Sequence, residues 1–240
     1  VKKYIHHSGI KTVLRLASAM LAFILIQSCD KTDTTPTDFN AYLPLSLGSF
    51  NVYQVTEKVY TASQKEPATT TWQEKDETDR ILSQDANSTV YVIARYKRNV
   101  ATDYWQKTQE YTVTKYPDKV LTGTDNQTIF SLVLPPDSKI RWNGNLYNNK
   151  DAQEFQYEAI NLPDSVGKLT FDKTLTVVER RDTSIINRYI GIKKYALGTG
   201  LIQDEQTSYE YCQDDNCIGS GKIESGTYKI RKLIESGLLK

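Results

Sequence analysis

The chain has 240 residues, 30 Lys+Arg against 29 Asp+Glu, and 39% hydrophobic and 10% aromatic residues. That length suits one domain with a sizeable core, and the balanced charge lacks the basic excess of a nucleic-acid binder. Both histidines, His6 and His7, and the one methionine, Met20, fall within the first 28 residues.

Those 28 residues read as an address. Lys2, Lys3, Lys11 and Arg15 precede an apolar run over residues 16–27, and Ser28 follows it. A basic start, a short apolar stretch and a small residue before the cut predict a secretory signal peptide over residues 1–28. The run is shorter than the roughly 20 apolar residues that span a bilayer. Ile26-Gln27-Ser28-Cys29 resembles the lipobox of bacterial lipoproteins, with Gln27 bulkier than the usual occupant. The resemblance implies cleavage after Ser28, a diacylglyceryl thioether on Cys29 and acylation of the new terminus. Two or more acyl chains hold a protein firmly at a membrane, where one holds it only marginally. The expected location is the cell envelope, lipid-anchored at the outer membrane, with the membrane as partner through Cys29.

Removing residues 1–28 takes four basic residues and no acid, leaving 26 Lys+Arg against 29 Asp+Glu, a net charge of −3. The mature chain has no histidine, which removes Ser-His-Asp and Cys-His nucleophile systems and every His-ligated metal site. No cofactor, metal or nucleic-acid partner is expected. Residues 29–39 carry Pro36 and four threonines and read as a flexible tether. Residues 40–240 then form a single β domain.

Strand patterns begin after Tyr42. Over residues 50–60, Tyr53, Val55 and Val59 share a face. Over 88–98, Val90, Val92, Ala94 and Tyr96 alternate with Tyr91, Ile93 and Arg95. Further candidates, rich in Thr, Tyr, Val and Ile, are 69–82, 104–115, 127–134, 138–142, 145–149, 153–160, 170–180, 200–212 and 225–234. Residues 185–196 fit a strand or a short helix. The expected fold class is all-β and mainly antiparallel. It is a strongly curved sheet, half-barrel or barrel-like, of about ten strands with little helix.

Three motifs stand out along this pattern. Asn143-Gly144 between extended segments predicts a type I′ hairpin turn, since both central residues there need φ > 0. Trp142 and Tyr147 would then stand near its tip, packed together or stacking on a ligand ring; Trp72 and Trp105 read as core or rim. Gly198-Thr199-Gly200 lacks the lysine and the strand–loop–helix setting of a phosphate loop and reads as a turn entering a strand. Cys212 and Cys217 enclose Gln-Asp-Asp-Asn, which is turn chemistry. The pair is expected to face across a hairpin and form a disulfide outside the cytoplasm.

Tyr42-Leu43-Pro44-Leu45-Ser46-Leu47-Gly48 with Val52-Tyr53-Gln54-Val55 resembles the opening of a group of Bacteroidota cell-envelope lipoproteins. The Trp142-Asn143-Gly144-Asn145-Leu146-Tyr147-Asn148 and Tyr195-Ala196-Leu197-Gly198-Thr199-Gly200-Leu201-Ile202 segments are similar to the same group. The resemblance implies an envelope lipoprotein and carries no activity with it.

The expected function is therefore a non-enzymatic binding or structural role in the envelope. A lipid carrier would need an apolar cavity within the sheet, and a glycan or protein binder an exposed aromatic platform. The alternative is a carboxylate-dependent polysaccharide hydrolase or accessory glycan-binding protein. It would draw on Glu154, Glu158, Glu205 or Glu210 and need two acids facing across a cleft, one with a raised pKa.

Overall fold

The computed structural model describes residues 38–239. The predicted signal peptide, Cys29 and the tether through residue 37 lie outside the described residues. The described residues open with a 3-10 turn (Phe39–Tyr42), capped by the Asp38 carboxylate, which accepts the Asn40 N–H at 3.0 Å. Twelve strands follow: β1 (Ser49–Tyr60), β2 (Ala68–Gln84), β3 (Thr89–Arg98), β4 (Gln106–Lys115), β5 (Lys119–Thr124) and β6 (Gln127–Val133). The second half is β7 (Arg141–Asn143), β8 (Glu154–Val166), β9 (Leu169–Thr183), β10 (Asn187–Ala196), β11 (Gly200–Tyr211) and β12 (Ile223–Leu238).

All twelve belong to one antiparallel sheet in the order β6-β5-β4-β3-β2-β1-β12-β11-β10-β9-β8-β7. Strands adjacent in the chain are adjacent in space, and β1 pairs with β12. The two remaining edges, β6 and β7, meet through individual bonds rather than a ladder. The Phe130 N–H donates to the Gly144 carbonyl at 2.8 Å, Trp142 Nε1 to the Phe130 carbonyl at 2.8 Å, and Asn148 Nδ2 to the Thr128 carbonyl at 2.9 Å. The result is a nearly closed up-and-down barrel, which removes the exposed edges an open sheet would present.

The sequence reading needs three corrections. Residues 145–149 form a turn, not a strand, and of the 138–142 candidate only 141 and 142 are strand. β5, whose short Lys-Val-Leu-Thr-Gly-Thr stretch carries little apolar signal, was not expected. The type I′ turn lies at Asp125 (φ 49°) and Asn126 (φ 58°), between β5 and β6, and not at Asn143-Gly144. At Gly144 the backbone instead bridges the seam, taking the Phe130 N–H on one side and donating to the Gln153 carbonyl at 2.8 Å on the other. Any side chain there would overlap the Phe155 ring. The ambiguous stretch 185–196 is strand β10.

Register defines the inner face. Tyr53 lies opposite Glu74 and Val55 opposite Trp72; Asp76 lies opposite Arg95 and Thr78 opposite Ile93. On β1 and β2 the other face carries Gln54, Thr56 and Lys58, and Gln73, Lys75 and Glu77. That composition suits water rather than the apolar band of a membrane-spanning barrel. Residues 38–48 form a strap across one end. Tyr42 is fully buried there, its hydroxyl donating to Asn161 Oδ1 at 2.6 Å. Lys115 Nζ donates to the Leu43 carbonyl at 2.8 Å, and the Gly198 N–H to the Ala41 carbonyl at 2.7 Å.

Candidate functional site

Inside the barrel, beneath the strap, lies a cavity of about 520 Å³. That is within the range of small-molecule sites. Its mouth is formed by Leu43, Pro44 and Leu45 of the strap, by Gly198, Thr199 and Gly200 of the β10–β11 turn, and by Ser236, Gly237 and Leu238 at the end of β12. The Gly-Thr-Gly segment is thus a turn entering a strand, as its sequence suggested, and it borders the cavity.

The deep wall is charged, and the charges alternate in sign from strand to strand. Arg95 on β3 faces Asp76 on β2, with Nε to Oδ1 at 2.6 Å and Nη2 to Oδ2 at 2.9 Å. Arg231 on β12 reaches Asp76 Oδ2 at 2.7 Å and lies 4.0 Å from Asp204 on β11. Asp204 is in register with Lys193 on β10, and Lys193 Nζ donates to Glu179 of β9 at 2.6 Å. Strand β1 contributes no charge to this belt. It contributes Tyr53, whose ring lies 4.3 Å beneath the Arg231 guanidinium, while Arg95 lies 5.0 Å over Tyr111.

Burial and pairing set the ionisation of the belt. Burial alone would raise Asp76, but Arg231 and Arg95 overcome it and hold its carboxyl down at about 2. For Lys193 burial is the largest single influence and lowers the pKa, but Glu179 and Asp204 with the neighbouring groups together outweigh it and hold the ammonium charged. Burial also pushes the Tyr53, Tyr111 and Tyr195 phenols upward, so all three stay protonated. One contact is incompletely satisfied. Arg231 Nε lies 2.8 Å from Glu74 Oε2 at an angle that makes an ion pair but no hydrogen bond, and both atoms are buried without a hydrogen-bond partner. Glu74 Oε1 accepts from Trp72 Nε1 at 2.8 Å.

The residues singled out from sequence lie elsewhere. Trp142 is 7% exposed and packed against Tyr157 (ring centroids 4.8 Å apart), Phe155 (5.9 Å) and Phe130 (6.2 Å). It has no open face for a ligand ring, so the stacking role is withdrawn for it. Tyr147 is half-exposed and touches Phe130 rather than Trp142. Trp72 is buried on β2.

Cys212 and Cys217 form a disulfide with Cα atoms 5.8 Å apart. They do not face each other across paired strands. The Cys212 N–H bonds the Lys222 carbonyl at 2.9 Å, and Cys217 sits within the turn between β11 and β12. Asp214 is near both sulfurs. With the sulfurs joined, it would be a lone ligand, too few for a metal.

None of Glu154, Glu158, Glu205 and Glu210 lines the cavity. Glu158 is paired with Arg181 at 2.9 Å, and Glu210 accepts from the Tyr189 hydroxyl. The belt itself was missed because its members are spread over six strands. The available signal was slight: Arg95 on the face shared by Tyr91 and Ile93, and carboxylates at alternate positions 74 and 76 after Trp72.

Fold and site together define an antiparallel up-and-down barrel with a charged internal cavity. No family model matches the chain, and no curated protein does. Among solved structures it is similar to a protein from Parabacteroides distasonis ATCC 8503 described as a candidate lipoprotein. The identity is 12% and the TM-score 0.39, over 82% of this chain and 98% of that one. A likeness that loose transfers neither a fold family nor a function.

Proposed function

We propose that this protein is a lipid-anchored, non-enzymatic binding protein of the cell envelope, and that its ligand occupies the barrel cavity. The observation that carries the reading is the cavity: about 520 Å³ of space with a defined mouth and a preorganised charged wall. The lipobox at residues 26–29 supports the anchor. The ionisation of Asp76 favours binding over hydrolysis. Glycoside hydrolysis needs one acid with a raised pKa, whereas Asp76 is held at about 2 by two guanidinium groups.

Two measurements test the proposal. Palmitate labelling of the wild type should be lost in Cys29→Ala; equal label in both removes the anchor from the account. Native mass spectrometry of protein drawn from the envelope should show one small molecule per chain. Leu201→Trp, which places a large ring at the mouth, should lower its occupancy. A steady turnover of polysaccharide abolished by Asp76→Asn or Asp204→Asn would make the protein a hydrolase instead.

A further inference from the structure

The charges of the belt are not equally reachable from the cavity. Arg95 and Lys193 keep 24% and 23% of their side-chain surface accessible, whereas their partners Asp76 and Glu179 keep 8% and 12%. Arg231, between them, keeps 6%. In both pairs the carboxylate is the more deeply buried partner. Among the belt carboxylates, Asp204 at 17% is the one that opens into the cavity to a comparable degree. The cavity lining holds three cations, Arg95, Lys193 and Arg231, against two carboxylates, Asp76 and Asp204, and Arg95 and Lys193 are the more exposed of the cations. Above them the wall changes character: Ile93, Val113 and Leu201 line the middle and mouth with Leu45 and Leu238. The hydroxyls there are largely spent on one another, Ser49 with Thr78 at 3.1 Å and Thr122 with Ser131 at 2.8 Å.

We propose that the cavity takes an acyl amphiphile head first, its anionic head held by Arg95 and Lys193 and its chain running along the apolar wall to the mouth. The inference rests on the cavity being the binding site, as proposed above, and adds the chemistry of the ligand. Charge-assisted hydrogen bonds from a guanidinium and an ammonium are the stronger class of polar contact. Their strength grows in a cavity shielded from water. The apolar wall rewards a chain in proportion to the area it covers. Asp204 opposes an anion, so its removal should help the head and its presence limits affinity.

The test uses the full-length protein in phosphatidylcholine nanodiscs. Palmitate, hexadecanol and hexadecyltrimethylammonium each carry the same photoreactive diazirine near the chain end, and the crosslinked peptides are mapped. Palmitate should label residues at the mouth, saturably, and unlabelled palmitate should compete while glucuronate, an anion without a chain, should not. Lys193→Met should weaken palmitate labelling about tenfold, the loss of one charge-assisted bond. Asp204→Asn should strengthen it, and neither change should alter the response to hexadecanol. Should Lys193→Met fail to accumulate because Glu179 is left unpaired, the double variant Lys193→Met/Glu179→Gln removes the pair together. Preferred labelling by the alkylammonium, or competition by glucuronate at the concentration where palmitate competes, overturns the anionic amphiphile and leaves the cavity as a site. Labelling by none of the three at cavity residues overturns the amphiphile, and a bound small molecule seen by native mass spectrometry would still leave the cavity as a site.

Discussion

At the scale of single residues, Asp76 is the centre of the molecule. It receives three hydrogen bonds from two arginines and a fourth, longer one of 3.3 Å from the Tyr111 hydroxyl. Its folded-state pKa of about 2 lies below the ordinary value of 3.8. The stability it contributes is therefore complete above the unfolded value, near 4, and is lost as the pH falls through about 2, a loss of roughly 2 kcal/mol. Asp76→Asn should cost about 3–5 kcal/mol at neutral pH, because it leaves two buried guanidinium groups undercompensated. Urea unfolding at pH 7 measures that cost. A titration from pH 5 to pH 2 should show a shallower decline for the variant than for the wild type; parallel declines would place the acid sensitivity elsewhere. Trp142 carries the second residue-scale prediction. Trp142→Phe retains much of the apolar volume but leaves the Phe130 carbonyl without its indole donor, and should cost about 1–3 kcal/mol. The same denaturant series checks it.

At the scale of elements, strand pairing was legible and the connections were less so. Alternation marked most of the strands because a β-branched or aromatic residue at every second position is a local property. β5 was not legible, since Leu121, Thr122 and Gly123 gain their places from pairing with β4 and β6. The hairpin misplaced at Asn143-Gly144 shows the same limit: the dipeptide favours a tight turn, but here the seam with β6 takes up its backbone groups. Gly226 on β12 is a position where an element depends on one residue. Its φ is 135°, and a side chain there would overlap the Ser208 carbonyl on β11. Gly226→Ala should destabilise the barrel by about 2–4 kcal/mol, read as a lowered unfolding midpoint. A shift within error would mean that β11 and β12 separate there at little cost. The disulfide sits in a short loop, so replacing both Cys212 and Cys217 by Ser should cost only about 2 kcal/mol on the chain-entropy account. Calorimetry of the double variant checks this, and failure to fold would show that the β11–β12 turn nucleates the barrel.

At the scale of the whole molecule, closure and cavity depend on each other. The β6–β7 seam has no continuous ladder, and its side-chain bonds through Trp142 and Asn148 substitute for one. The Tyr157 hydroxyl reinforces the region, accepting the Val133 N–H at 2.9 Å and donating to the Val133 carbonyl at 2.6 Å. Asn148→Ala should therefore raise hydrogen exchange at Thr128 and Phe130 first, while the β1–β12 ladder stays protected. Simultaneous loss of protection at both places would show that the barrel opens as one unit. The strap matters at this scale too. Its residues Leu43, Pro44 and Leu45 border the mouth of the cavity.

The sequence by itself determined the all-β class, the antiparallel pairing of chain neighbours and the reactivity of the two C-terminal cysteines toward each other. These follow from alternation, turn composition and spacing, which are local. It also carried, over residues 26–29, a pattern of four consecutive residues that resembles a lipobox. Only the tertiary structure decided that the sheet closes, that Trp142 is core, and that Glu179, Lys193, Asp204, Arg231, Asp76 and Arg95 form one belt around a cavity. The physical reason is distance along the chain. Arg231 and Asp76 are 155 residues apart. An inward charge on a strand looks the same in sequence as an outward one until closure fixes which face is inside.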